Sequence, residues 1–152
     1  MAIELREFVD RSEGISADVV RRFEKSGAWA QDGALSMVSW LKSNGKLSGG
    51  AAMERVSMAR QLEKLPETAQ AFRRGDLGYQ HVAILTHTAE KVGTSALKNE
   101  EASLLQAAQC MDPGQFAGVA KAFEFRLDQA AALIEANRAY SRRYLHLSEP
   151  KD

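Results

Sequence analysis

The chain has 152 residues, 45% of them hydrophobic and 26% charged, a balance that suits one folded domain and excludes wholesale disorder. Twenty basic side chains cancel twenty acidic ones, so no bulk positive field marks a nucleic-acid binder, although a local patch on a neutral body can still grip phosphate. Three prolines and eleven glycines without a period exclude collagen-like and low-complexity architectures, and the single Cys110 excludes an intramolecular disulfide or a thiolate metal cage.

Helical spacing recurs nearly everywhere and no convincing apolar–polar alternation appears, which predicts an all-α fold. Residues 1–15 read as a candidate flexible N-terminal extension. Ser16, with Asp18 close behind, opens a helix through Val19, Val20, Phe23 and Trp29. Asp32-Gly33 is a turn. Ser36 caps a short helix carrying Val38 and Trp40, and Gly45 stops it. Ser48 caps the next, in which Ala52, Val56, Ala59 and Leu62 fall on one stripe. Pro66 and Glu67 suit the first turn of a short helix ending at Gly75. A further helix runs from about Gly78 to Val92 and stops at Gly93. Thr94 or Ser95 restarts it through Leu97, Leu104, Leu105 and Ala108. Asp112-Pro113-x-Gln115 joins a cap, a proline at the first helical position and a capping-box partner, opening a long helix toward Tyr144. The expectation is a single compact domain over 1–152, of about seven helices with short connections and a long C-terminal helix.

Two blocks echo each other. Gly45-Lys46-Leu47-Ser48 and Gly75-Asp76-Leu77-Gly78 lie thirty residues apart, as do Ala59 and Ala89. Each reads as a short helix, a turn with glycine and leucine, then a longer helix, the pattern of a helix-turn-helix. Any pair of short-linked antiparallel helices also has a glycine stop and an apolar turn residue, so both readings stand.

The stretch from Lys42 to Arg74 is the most basic. Lys42, Lys46, Arg55, Arg60, Lys64, Arg73 and Arg74 oppose Glu54, Glu63 and Glu67, a surplus of four positive charges. These cations could neutralise phosphates, the helix start at Ser48 offers backbone N–H groups for one more, and Gln80 in the second block could read an adenine edge. The plain alternative is solvated helix surface. The other outward positions, Gly50, Met53, Glu54 and Ser57 in one block with Ile84 and His87 in the other, are poor base readers.

No catalytic motif is legible: there is no H-E-x-x-H, no G-x-S-x-G, no phosphate-binding glycine loop and no paired-cysteine zinc site. His81 and His87 lie six apart on one helix, about 240° round, and cannot jointly chelate. His81 reads as a partly buried, hydrogen-bonded residue, Cys110 as a small core residue, and Glu100-Glu101 as acids favouring a helix start. No catalytic residue, metal site or cofactor is therefore expected, and the chain by itself reads as non-enzymatic. The charged first turn lacks a secretory core, and the longest apolar run, Ala130 to Ile134, is far short of the ~20 residues that span a bilayer. With one cysteine, these features point to a cytoplasmic protein with no membrane partner.

The long C-terminal helix supports two packings. Counting sevens puts Phe116, Phe123, Ala130, Asn137 and Tyr144 at one seam position and Val119, Leu133 and Tyr140 at the other, with Arg126 interrupting. That suits a homodimeric coiled coil. Ala120, Leu127, Ala131 and Ile134 widen the stripe, which favours packing on the domain's own core, and the two could occupy different lengths of the helix. Arg138, Arg142 and Arg143 form a second basic cluster: solvated end, dipole partners or phosphate contacts.

Several segments carry a resemblance. Gly27-Ala28-Trp29, Ser39-Trp40-Leu41, Leu47-Ser48, Ala59-Arg60-Gln61-Leu62, Leu65-Pro66, Ala71 and Gly75-Asp76-Leu77 come first. His81-Val82, Leu104-Leu105-Gln106-Ala107-Ala108, Met111-Asp112-Pro113 and Arg143-Tyr144-Leu145-His146-Leu147-Ser148 follow. In order and spacing they resemble the bacterial 13E12 repeat family, whose N-terminal domain of unknown function (number 222) commonly precedes an HNH nuclease. The resemblance implies a helical accessory domain of a nuclease-associated protein, in which the metal-bound histidines lie farther toward the C-terminus. Nothing up to Asp152 matches an HNH motif, so the chain is expected to be either a fragment that partners a C-terminal nuclease domain or a stand-alone relative. The leading expectation is a non-catalytic DNA-associating domain that positions such a module, acting through Lys42, Lys46, Ser48, Arg55, Arg60, Arg73, Arg74 and Gln80. The alternative is a protein-interaction or dimerisation module built on the long C-terminal helix.

Overall fold

The computed structural model describes residues 1–145, and every regular element among them is helical. Eight α-helices follow one another: α1 (Ala2–Ser26), α2 (Met37–Asn44), α3 (Gly49–Lys64), α4 (Pro66–Arg74), α5 (Tyr79–Val92), α6 (Thr94–Asn99), α7 (Glu101–Cys110) and α8 (Pro113–Leu145). A 3₁₀ turn, Ala28–Asp32, joins α1 to α2.

The locally signalled boundaries are where the residues put them. Ser36 and Ser39 exchange side-chain and backbone hydrogen bonds in a capping box. The Ser48 hydroxyl accepts from the Ala51 N–H, and Asp112 and Gln115 close the box that opens α8. Three boundaries differ. The first helix, expected to run through Trp29, stops at Ser26 because Gly27 turns left-handed (φ 67°), and Trp29 falls in the 3₁₀ turn. Residues 1–15, expected as a flexible extension, are the first half of a continuous helix: Ser16 does not cap it, because Asp10, Gly14 and Ala17 are already buried against the body. The segment expected as one helix from Thr94 breaks at Glu100, which lets Leu97 and Leu104 both enter the core and gives eight helices rather than seven.

Two apolar clusters share α3 as a wall. One face of α3 sends Ala52, Val56 and Ala59 toward Val20, Met37 and Leu41, with Phe23 and Trp40 packed ring to ring at 4.6 Å beside them. Met58 and Leu62 turn into the larger cluster, where Leu65, Phe72, Leu77, Val82, Leu85, Leu97 and Phe116 are nearly or fully enclosed. α5 and α8 run side by side in the same sense. His81 of α5 meets Met111 and Phe116 at one end, while Thr88 and Lys91 both bond Glu124 at the other. α5 stops at Val92; α8 does not.

The echoed blocks are both helix–turn–helix units with four-residue turns. Ser48 and Gly78 enter their second helices in the same extended conformation, with ψ of 158° at each. Their turns differ in where the left-handed residue falls, at Lys46 (φ 52°) in the first and Gly75 (φ 80°) in the second. The second helix of each pair is also capped differently: the Ser48 side chain caps α3, whereas Gly78 has none to offer α5.

Candidate functional site

Helices α4 and α5 begin without a cap of their own. Leu65 and Gly78, the residues before them, offer no side-chain acceptor. Carboxylates from distant helices supply it. Glu101, 3% exposed at the start of α7, accepts from both the backbone N–H and the hydroxyl of buried Thr68, each at 2.8 Å. Asp10, 6% exposed on α1, accepts from the Tyr79 N–H at 3.0 Å through Oδ1, while Arg6 bonds both of its carboxylate oxygens at 2.9 and 3.2 Å. Glu101, expected to serve the helix it opens, serves α4 instead: in the closed core its charge finds the positive end of that neighbouring helix.

The four arginines expected to bind phosphate are engaged with protein carboxylates. Arg55 lies between Glu13, which it grips with both terminal nitrogens, and the Tyr79 ring, whose centroid is 5.2 Å from the guanidinium carbon. Tyr79 in turn donates to Glu54 at 2.7 Å. The Glu13 hydrogen bonds raise the Arg55 pKa above its already high ordinary value, and burial, then Glu54, pushes the Tyr79 phenol above the usual tyrosine range. Arg60 is held by Glu24, which raises its pKa in the same way. Arg73 bonds Asp18 at 2.7 Å, and Arg74 bonds its neighbour Asp76 at 2.8 Å. Lys25 of α1 pairs with Glu63 of α3, and that bond lowers the Glu63 pKa.

Three of these partners, Glu13, Asp18 and Glu24, come from α1. The structure thus does bring Arg55, Arg60 and Arg73 together, but along the seam where α1 lies across α3 and α4, neutralised pair by pair. Each is an interhelical tie. Counting charge only from Lys42 to Arg74 misses this, because the compensating acids lie far earlier in the chain. Lys42, Lys46 and Ser48 gather at the exposed α2–α3 turn, where neither lysine has a carboxylate partner among the described residues. Gln80 is exposed in the first turn of α5, with no bond to the arginines among the described residues.

His81 is half-buried, its Nε2–H directed at the Met111 carbonyl at 2.8 Å and its ring 5.8 Å from Phe116. Cys110, expected in the core, is exposed because it lies in the last turn of α7, on the side away from Leu104, Leu105 and Ala108. His146 lies outside the described residues. Among those described, no three His, Cys, Asp or Glu side chains cluster closely enough to hold a metal ion, and no helix is long and apolar enough to cross a membrane.

The feature that sequence reasoning left open is resolved along α8. Its first half belongs to the core, with Phe116, Ala120 and Phe123 buried and Val119 and Leu127 packed beside them. From Asp128 to Arg143 every residue is exposed. Sixteen residues, an arm about 24 Å long, leave the body as bare helix. The alanines at 130–132, 136 and 139 keep it helical without tertiary support. Leu133, Ile134 and Tyr140 need no such exposure for helicity, yet are 64, 52 and 66% accessible. Arg138, Arg142 and Arg143 lie near the tip, Arg142 reaching Glu135 at 3.4 Å. At its base an open groove of about 450 Å³ separates α8 from α7, bounded by Glu100, Ser103 and Leu104 on one side and Phe123 and Arg126 on the other.

The chain belongs to the family described as Domain of unknown function (DUF222), whose model matches residues 1–152, the whole chain. No curated protein and no solved structure matches it.

Proposed function

We propose that this domain is a non-catalytic protein-interaction module that acts through the α8 arm. One observation carries the reading: a single helix changes from core to fully exposed at Asp128, yet keeps placing Leu133, Ile134 and Tyr140 along its surface. Large apolar side chains left together on an exposed helix mark a docking face. The test is Leu133→Glu with Ile134→Glu, followed by urea unfolding and by sedimentation. A docking arm tolerates both charges with the core's unfolding free energy changed by less than about 0.5 kcal/mol, as surface substitutions do, while association is lost. A loss of several kcal/mol, the response of a packed position, would overturn the reading.

A second reading, DNA association, draws on the exposed Lys42 and Lys46 beside the Ser48-capped start of α3, a helix N-terminus with cations and no carboxylate partner for either lysine among the described residues. In this form it is a weak, sequence-independent contact with phosphate, through which the domain would position a nuclease module. Anisotropy titrations over a range of salt test it. Replacing Lys42 and Lys46 by alanine lowers the salt slope by about two, one per lost phosphate contact, whereas replacing Arg55 and Arg60 acts through stability instead. Salt-independent association, or none, excludes it.

A further inference from the structure

Resting on the reading of α8 as a docking arm, we infer that its occupant is the arm of a second copy of this chain, laid antiparallel. The direction follows from what surrounds the base. Ala130, Leu133, Ile134, Asn137 and Tyr140 share one face of the helix, and that face continues downward through Phe123 and Arg126 into the groove walled by Glu100 and Leu104 of α7. A parallel neighbour, in register, has to continue down that face and runs into α7. An antiparallel neighbour instead brings Arg142 and Arg143 to the level where the wall begins.

The arm is self-complementary under such a reversal. Turning it about Glu135 sets Ala130 opposite Tyr140 of the second copy, small against large, and brings Leu133 level with Asn137. Charge agrees. Asp128 and Glu135 occupy the lower part of the arm and Arg138, Arg142 and Arg143 the upper, with Glu100 beside the groove at the base. Antiparallel pairing sets each basic tip beside the other copy's acidic base, whereas parallel pairing stacks like on like. Arg126, the one cation on the groove wall, has its guanidinium carbon 5.6 Å from the centroid of its own Phe123 ring.

The experiment uses the full chain in a Cys110→Ser background. Sedimentation equilibrium across the micromolar range should give a dimer for the parent and a monomer for Leu133→Glu. Spin labels on Arg142→Cys then report direction, since antiparallel arms hold the two labels about 20 Å apart along the axis, whereas parallel arms bring them side by side. Arg143→Glu should weaken the dimer at least tenfold, and adding Glu100→Arg should recover part of that loss. A monomeric parent, labels side by side, or a dimer indifferent to Leu133→Glu each overturns antiparallel self-pairing. A monomeric parent whose core is unmoved by Leu133→Glu leaves the docking arm standing and rejects the second copy as its occupant, whereas a destabilised core rejects the arm itself.

Discussion

Gly14 lies hard against the backbone of α4. A Cβ built there would lie 3.0 Å from the Phe72 carbonyl carbon and oxygen and 3.1 Å from the Arg73 nitrogen, all of them backbone atoms that cannot step aside. Gly14→Ala gains about 1 kcal/mol of helix propensity but forces α1 off α4, and overpacking of this kind costs about 1–3 kcal/mol. The clash wins, so urea unfolding should show a net loss. Tyr79 sets a pH limit. Burial and Glu54 hold its phenol protonated in the folded chain beyond the ordinary tyrosine pKa. The folded-state value is the raised one, so its contribution is complete below about pH 10, where the unfolded chain is neutral too. It is lost as pH climbs from there toward the folded value, where only the unfolded phenol has ionised. Tyr79→Phe should flatten that alkaline fall in stability, measured by unfolding at a series of pH values. An unchanged fall would place its origin elsewhere.

Among the elements, those with sequence-local signals were legible and those held by distant groups were not. Ser36, Ser48, Pro66, Asp112 and the stops at Gly45, Gly75 and Gly93 act on their immediate neighbours, so their meaning is written within four residues. The stripe Ala52, Val56, Ala59 and Leu62 is buried as its spacing requires. α1 lacks a side-chain cap and its first eight residues are exposed, so nothing local announces it. Its helix is fixed by Asp10 reaching α5 and by Glu13, Asp18 and Glu24 reaching arginines on α3 and α4. The same distance hides Glu101 as the cap of α4. Glu101→Ala leaves the Thr68 N–H and hydroxyl buried without an acceptor and should cost about 2–3 kcal/mol, whereas Glu101→Gln, which keeps an acceptor oxygen, should cost less. Equal losses for the two would mean that packing, not the hydrogen bonds, is what Glu101 supplies.

At the scale of the whole molecule, the all-α class and the core packing of the first half of α8 were both within reach of the residues. Heptad counting and stripe width pointed to seam and core at once, and the structure assigns core packing to the lower half of the helix. The ion pairs of the basic segment were not legible, because charge summed along a chain says nothing of which acids the fold brings alongside. Between Val119 and Leu145 α8 contains neither glycine nor proline, so it has no built-in hinge. A twist applied at the free end would therefore be carried along unbroken helix to Phe123 inside. One alanine inserted after Asp128 swings everything beyond it by about 100°, whereas seven nearly restore the original heading, so a partner docked on the arm would distinguish the two insertions by angular phase as much as by chemistry.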